Sequence, residues 1–452
     1  MNKRRRLSIT ACPMLAVLLA SGCDDGHGRG PLDAASPIAD GGGARLLVFS
    51  DPHYFDPSLG STGQALANYI ASEGKMILES DAILRALTAE VEAENPQAIL
   101  VPGDLTKDGE LASHNTVAGY LRRMQAGGRR VFVIPGNHDI ENAGAFRYEG
   151  DVATPVPTIS AAEFVSLYGD MGYGAALARD PASLSYVAEI VPGLWLLALD
   201  SCIYRDEPSP ATTAGRLTEQ TRAWIAAQLS LAANQGSRVI AMMHHGLVEH
   251  FAHQAAAFAQ YLVTDRDAIA ALLSNGGVGA VFTGHFHAND VTKGRPSGSA
   301  SSIYDIGTGS TVNYPCPYRL VDVLGDTLTI TTKHVLAIDH NLEGAADFQT
   351  YAKARLRADV ARSLSNLLQA PPYSLSADTV ASISPWLVDG FVAHYAGDEV
   401  MPADVPGEVQ SLLSSGNGVQ IMAAMMLTGI WTDLPPADND LVLNLSPGTG
   451  RR

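Results

Sequence analysis

Short apolar runs bounded by Gly, Pro and Asp recur along the chain, at residues 45–50, 98–101, 131–134, 194–199, 238–243 and 279–283. Runs of that length with those boundaries predict buried strands. Between them lie stretches with helical apolar spacing, for example 77–94 and 218–233. Strand and helix in alternation predict an α/β core. From about 303 to 333 the pattern shifts to close-set strands, as in Thr327-Leu328-Thr329-Ile330-Thr331-Thr332. After about His340 it changes again, and 345–368, 377–395 and 406–432 read as amphipathic helices separated by Pro-bearing breaks. The chain is thus expected to carry one domain over 45–338 and a helical C-terminal extension over 339–452, with no internal repeat.

The first residues stand apart. MNKRRR precedes a mostly apolar stretch over 7–20 and then Ser21-Gly22-Cys23. A basic start, a short apolar core and small residues form the layout of an export signal, and this core is too short for a membrane helix. Leu19-Ala20-Ser21-Gly22-Cys23 resembles the lipobox of bacterial lipoproteins. The resemblance implies removal of residues 1–22 and lipidation of Cys23, which would anchor an exported chain at the cell envelope. Ala20 is less typical at its position, so plain secretion stays open. Residues 23–44, rich in Gly, Asp, Pro and Ala, read as a flexible tether.

Charge and cysteine content narrow the choices. Against 30 Lys and Arg stand 47 Asp and Glu, a net charge of −17. Removing residues 1–22 takes away four basic residues and no acid, which carries the value to −21. Such an acidic chain excludes sequence-independent nucleic-acid binding, and no duplex partner is expected. The 46% hydrophobic content excludes a disordered chain. Four Cys exclude a disulfide-rich scaffold. Once Cys12 is removed and Cys23 lipidated, Cys202 and Cys316 remain, and a bridge between them stands level with two free thiols.

The chemistry sits at the ends of the strand runs. Five segments follow them: Asp51-Pro52-His53, Gly103-Asp104-Leu105-Thr106-Lys107-Asp108-Gly109, Gly136-Asn137-His138-Asp139, His244-His245-Gly246 and Gly284-His285-Phe286-His287. In open α/β sheets ligands gather beyond the carboxyl ends of the strands. Asp51 with His53, and His285 with His287, are two apart, so on extended chain each pair points to one side. Imidazoles and carboxylates clustered on strand ends suit transition metals. Each piece alone is weak, since Gly-Asp pairs mostly make turns and a lone His is usually structural. Five in order are not explained that way.

From Ser50 to about His287 this set resembles the calcineurin-like metallophosphoesterase family, and the strand-rich continuation to His334 also fits. The resemblance implies a four-layer αββα sandwich with two metal ions at its edge. Asp51, His53 and His287 would hold the first ion, Asn137, His244 and His285 the second, and Asp104 would bridge them. His138 would be the catalytic histidine, oriented by Asp139. With Gly246 where many members have Pro, the ligand could also be His245, though His244 is favoured. Lys107 stands where purple acid phosphatases place a ligand Tyr, and Asp139 where the 5′-nucleotidase subgroup has Glu, so neither subgroup is indicated. The stretches Tyr304–Ser310 and Tyr314–Arg319 look like ones found in some bacterial members of uncertain substrate.

Two divalent or mixed-valence ions (Mn, Fe, Zn or Co) facing two carboxylates leave the centre positive enough to hold a phosphate anion. Hydroxide shared between the ions would attack phosphorus, and His138 would protonate the leaving oxygen or bind the phosphoryl group. The expected substrate is a phosphodiester or phosphomonoester, as a small molecule or a lipid head group. Arg147, Tyr148, His250, His253 and Tyr314 are candidates for the rim of the site. A non-catalytic, metal-stabilised scaffold lipoprotein is the alternative, and His138 and Asp139 count against it because a structural metal site needs neither.

Overall fold

Fifteen strands and eleven α-helices organise residues 43–204, 212–397 and 399–445, which the computed structural model describes. Residues 1–22, expected as an export signal, Cys23 and most of the expected tether lie outside the described residues. In chain order the strands are β1 (Ala44–Val48), β2 (Ala98–Val101), β3 (Arg130–Val133), β4 (Phe146–Glu149), β5 (Val152–Pro155), β6 (Ala178–Arg179), β7 (Tyr186–Val191) and β8 (Leu194–Leu199). They continue as β9 (Arg238–Met243), β10 (Ala280–Thr283), β11 (Asp290–Gly294), β12 (Ile303–Gly307), β13 (Pro317–Leu324), β14 (Thr327–His334) and β15 (Leu441–Asn444). The helices are α1 (Gln64–Glu73), α2 (Ser80–Glu94), α3 (Leu111–Met124), α4 (Ala161–Leu167), α5 (Glu219–Gln235), α6 (Gln254–Ala257) and α7 (Arg266–Asn275). After them come α8 (Phe348–Gln369), α9 (Ala377–Ala396), α10 (Gly407–Leu413) and α11 (Gly418–Gly429).

Two sheets carry the fold, in the orders β15-β14-β13-β1-β2-β3 and β11-β12-β10-β9-β8-β7-β6. The parallel strands β8, β9, β10 and β12 lie at the centre of the second sheet; in the first, β1 and β2 lie inside and the parallel β3 forms one edge. Parallel strands are covered on both faces, which is why these runs are continuously apolar rather than alternating. Side-chain alternation then sorts the second sheet into two contacts. Leu196, Ala198, Ile240 and Met242 enter the large core shared with the first sheet and helices α2 and α3. Their neighbours Trp195, Leu197, Val239 and Ala241 pack instead with Ile225 and Leu229 of α5 and Ile269 and Leu273 of α7. The result is the expected four layers, helix-sheet-sheet-helix.

Local signals set the element ends. The Thr218 hydroxyl accepts the Thr221 N–H to start α5, and Gly236 in left-handed conformation stops it. The stretch 406–432, expected as one helix, is two. Gly416 at φ 69° breaks it, and the Asn417 side chain caps α11 by accepting from Val419 and Gln420. The segment after residue 339 is helical in α8–α11, with a core of its own around Leu364, Ile383, Leu387 and Leu427. It also supplies β15, which pairs antiparallel to β14 and rejoins the first sheet. Phe251, Phe286 and Ala288 of the sandwich share that helical core. Cys202 and Cys316 are free thiols, so the bridge is not formed. Cys202 donates to the Pro135 carbonyl and Cys316 is buried in the sandwich core.

Candidate dinuclear metal centre

All seven side chains expected to bind metal meet at the carboxyl ends of the central strands. Ligand atoms of Asp51, His53, Asp104 and His287 lie within 4.8 Å of one another, and so do those of Asp104, His244 and His285. Asp104 belongs to both groups. Its Oδ2 is 3.5 Å from His53 Nε2 and 3.4 Å from His244 Nε2. His53 Nε2 and His287 Nε2 are 3.0 Å apart, and Asn137 Oδ1 is 3.1 Å from His244 Nε2.

The backbone is strained to achieve this. Asp51, His53, Asp104, His285 and His287 all have positive φ, between 37° and 71°. Non-glycine residues avoid that region, and it persists only where the surroundings over-determine it. Cross-links do so here: Asp51 N–H donates to Gly103 O, His53 N–H to Asp104 O, and His285 N–H to the Asp51 carboxylate. Gly136 is required by close approach, because a Cβ there would sit 2.1 Å from Asp104 N.

Tautomers decide which histidine nitrogens face the cluster, since a carbonyl only accepts. His244 Nδ1 donates to Pro102 O and leaves Nε2 free; His285 Nε2 donates to Thr213 O and leaves Nδ1 free. His245 has both nitrogens engaged, with Ser201 Oγ and Thr213 O. His244, not His245, therefore faces Asp104. The donor set fits a pair of divalent cations: two carboxylates, an amide oxygen and four imidazoles, nearly all buried. The charges ask for them as well. Against the cost of burial, Asp104 lifts His244 to about 9, while His244, His138 and His53 hold Asp104 well below the usual carboxylate range. Burial, with Lys75 adding to it, pushes His53 well below its ordinary value.

His138 sits beside the cluster with its side chain 19% exposed. Its orientation differs from the expectation. Nδ1 is 2.8 Å from Asp108 Oδ1, so the orienting carboxylate is Asp108 and not Asp139. Asp139 is consumed by the loop, accepting from Leu105 N, Thr106 N, Thr106 Oγ1 and Gly136 N. Burial and the Asp104 charge push its carboxyl to about 7 against those donors. Burial opposes ionisation of Asp108 too, yet His138 and Lys107 hold it at about 2. The buried Lys107 ammonium is paired with Asp108 and Glu110 and lies 4.1 Å from the Tyr69 ring centroid. Asp108 lies in the quoted motif four residues after Asp104, so its identity was readable but its partner was not.

A cavity of about 610 Å³ opens on the cluster, with Asp104, Asn137, His138, His285 and His287 in its floor. Lys75, a buried cation no motif signals, lines one side. The opposite wall comes from the C-terminal helices: Leu356, Val360, Leu364 and Leu367 of α8, and Phe391 and Tyr395 of α9. Phe258 and Tyr261 extend it. Arg147, Tyr148, His250, His253 and Tyr314, expected at the rim, are absent from the lining. Tyr148 instead packs on Phe55 and Tyr69, and His250 is buried between Asp290 and Asp305.

The family model described as calcineurin-like phosphoesterase matches residues 44–289, more than half of the chain. The chain belongs to the calcineurin-like phosphoesterase family. Similar solved structures include a dimetal phosphatase from Danio rerio, at 15% identity and TM-score 0.47, covering 68% of this chain and 99% of that one. A purple acid phosphatase from yellow lupin (Lupinus luteus) seeds aligns at 12% identity and TM-score 0.42, over 66% and 52% of the two chains. A protein of Thermus thermophilus, TT1561, aligns at 13% identity and TM-score 0.37, over 65% and 100%. No curated protein matches the chain. As a member of this dinuclear metal-binding family, the phosphoesterase is a metal-dependent phosphoric ester hydrolase.

Proposed function

We propose that Asp51, His53 and His287 hold one divalent transition ion, Asn137, His244 and His285 a second, and Asp104 both, for hydrolysis of a phosphodiester or phosphomonoester with an apolar alcohol group. The observation that carries this is the position of Asp104 between two histidine-rich groups, with His138 alongside at the floor of an open cavity. When bound, the ions supply Lewis acidity toward phosphoryl oxygens and lower the pKa of water. The chain's own residues do the rest. Lys75 adds positive charge for the incoming anion. Asp108 accepts the Nδ1 proton of His138 and favours the imidazolium, whose Nε2–H donates to a phosphoryl or leaving-group oxygen. Asp139 keeps the loop that carries Asp104 against the loop that carries His138. The helical wall excludes water and gives an apolar ester group a surface on which to rest.

The export signal and the Cys23 anchor belong to the same proposal, supported by the sequence of residues 1–23. An apolar pocket wall suits a substrate from an envelope lipid as well as a soluble ester. One assay tests the activity: p-nitrophenyl phosphate and bis-p-nitrophenyl phosphate are offered to protein loaded with Mn²⁺ or Zn²⁺, before and after chelation. Metal-dependent turnover of either is expected. No turnover of these or of a wider ester panel by a protein carrying its metals would overturn it. Fatty-acid labelling that survives Cys23→Ala would overturn the anchor.

A further inference from the structure

A second knot of ionisable side chains is sealed inside the protein, and it shares no residue with the catalytic floor. Asp290 begins β11, three residues after His287. His394 lies in the last turn of α9, and Glu399 follows that helix. Their exposures are 0%, 0% and 4%. His394 Nδ1 is 2.9 Å from Glu399 Oε1 and 3.9 Å from Asp290 Oδ2. One ligand atom from each of the three falls within 4.8 Å of the other two.

The second, independent observation concerns bonds not made. Among the described residues, the buried Asp290 Oδ2 and Glu399 Oε2 make no hydrogen bond. A buried polar atom left without a partner is costly, and more so when charged. Asp305, a few ångströms away beside His250, provides the contrast. Its two oxygens accept from Leu247 N, Val248 N and Thr283 Oγ1, so the protein itself neutralises it. Among the described residues Asp290 accepts one hydrogen bond, from the Thr292 hydroxyl to its other oxygen, which His250 Nδ1 faces from 3.9 Å. Burial, then Asp438 and Glu399, push the Asp290 carboxyl well above its ordinary range, although His250 works against them. Phe251 and Phe286 stand edge-on to the His394 ring at 5.0 and 5.5 Å between centroids, closing that side with carbon.

We propose that Asp290, His394 and Glu399 form a third metal site, for a divalent ion such as Zn²⁺ or Mn²⁺, that fastens the end of α9 to β11. Two carboxylates and one imidazole are a donor set these ions accept, and the ion gives the unbonded Asp290 Oδ2 and Glu399 Oε2 a partner. The position gives it a task. β11 directly follows the histidines of the catalytic floor, while α9 carries Phe391 and Tyr395 of the cavity wall. The ion therefore ties the wall to the floor without touching substrate.

The test counts metal. The full chain is loaded with excess Zn²⁺, freed of unbound ion, and measured by inductively coupled plasma mass spectrometry. The native protein is expected to retain three equivalents. His394→Gln and Glu399→Gln are each expected to retain one fewer than their parent. The same loss of one is expected when Glu399→Gln is added to an Asp51→Asn, Asp104→Asn background that weakens the catalytic pair. That second background keeps the count independent of whether the catalytic site binds as proposed. Zn²⁺ added to the background should raise the thermal midpoint, and the rise should disappear with Glu399→Gln. Counts unchanged by both His394→Gln and Glu399→Gln would overturn the site. If one variant does not fold, the count of the other decides.

Discussion

The floor and the wall of the cavity are built by opposite means. In the floor, five of the seven cluster residues hold left-handed backbone, and neighbouring loops are locked by hydrogen bonds across the strand ends. The wall is helix surface: Leu356, Val360, Leu364 and Leu367 follow one face of α8 at helical spacing, over the core of the C-terminal helices that Phe251 and Phe286 of the sandwich also enter. A floor residue is defined by its atoms and tolerates no substitute, whereas a wall residue is defined by its volume and tolerates several. The chemistry is thus held on rigid strand ends, and selectivity is delegated to a layer that can change without disturbing it.

The largest effect that would break this division is at Asp104. Asp104→Asn keeps the shape and removes the charge shared by both groups. Activity should fall by about 10³-fold or more, and bound metal should fall with it. Retention of both ions and of turnover would mean that Asp104 is not shared. His138→Ala is next, with kcat lowered about 10²–10⁴-fold while the metal count stays at the native value. Equal loss of metal would make His138 a ligand.

Asp108→Asn should act through His138 and so sharpen the contrast within the floor. Burial and Lys75 lower the His138 pKa, but Asp104 and Asp108 outweigh them and the net shift is upward. Without the Asp108 charge that pKa drops, so the protonated form is lost at lower pH. A kcat–pH profile should show its alkaline limb displaced to lower pH, with kcat reduced roughly tenfold near neutrality. An unmoved limb would leave Asp108 a purely structural role.

How far the sequence could be read follows the same division. Strand runs 98–101, 194–199 and 238–243 coincide with β2, β8 and β9, because strands buried on both faces announce themselves by continuous apolar residues. The cluster was legible because the ordered motifs carry it, although Asp51, His53, His285 and His287 lie past the ends of β1 and β10 on left-handed backbone and not on the extended chain expected of them. The orienter of His138 was not. Asp139 is adjacent in sequence, but its carboxylate is turned into the loop, while Asp108 arrives from 30 residues away. The short strands β4, β5 and β6 and the returning β15 carry too few residues for a period to show. The wall was hidden for a different reason. Amphipathic spacing in α8 reveals an apolar face but not what that face covers.

Substitution in the wall should spare the chemistry. Leu367 lines the cavity and is 37% exposed, so its truncation leaves little unfilled core. Leu367→Gln is expected to raise KM for an ester with a long alkyl or aryl group by about fivefold to tenfold, on the scale of roughly 1 kcal/mol for a few lost apolar contacts. A small alkyl phosphate should show no change in KM or kcat. Equal effects on both substrates would remove the wall from recognition.

The smallest effect separates what holds the wall from what decorates it. Arg357 of α8 and Asp389 of α9 form an ion pair between the two helices, but their side chains are 41% and 52% exposed. An exposed pair is screened and loses side-chain freedom, so Arg357→Ala should lower stability by less than about 1 kcal/mol. Leu387, on the adjoining turn of α9, is fully buried in the helical core, and Leu387→Ala should cost about 2–5 kcal/mol. Urea unfolding followed at Trp386 and Trp431, whose ring centroids lie 5.7 Å apart in that core, reads both variants in one experiment. If the arginine variant shifted the midpoint as far as the leucine variant, the wall would be held by charge, and its sensitivity to salt would have to match.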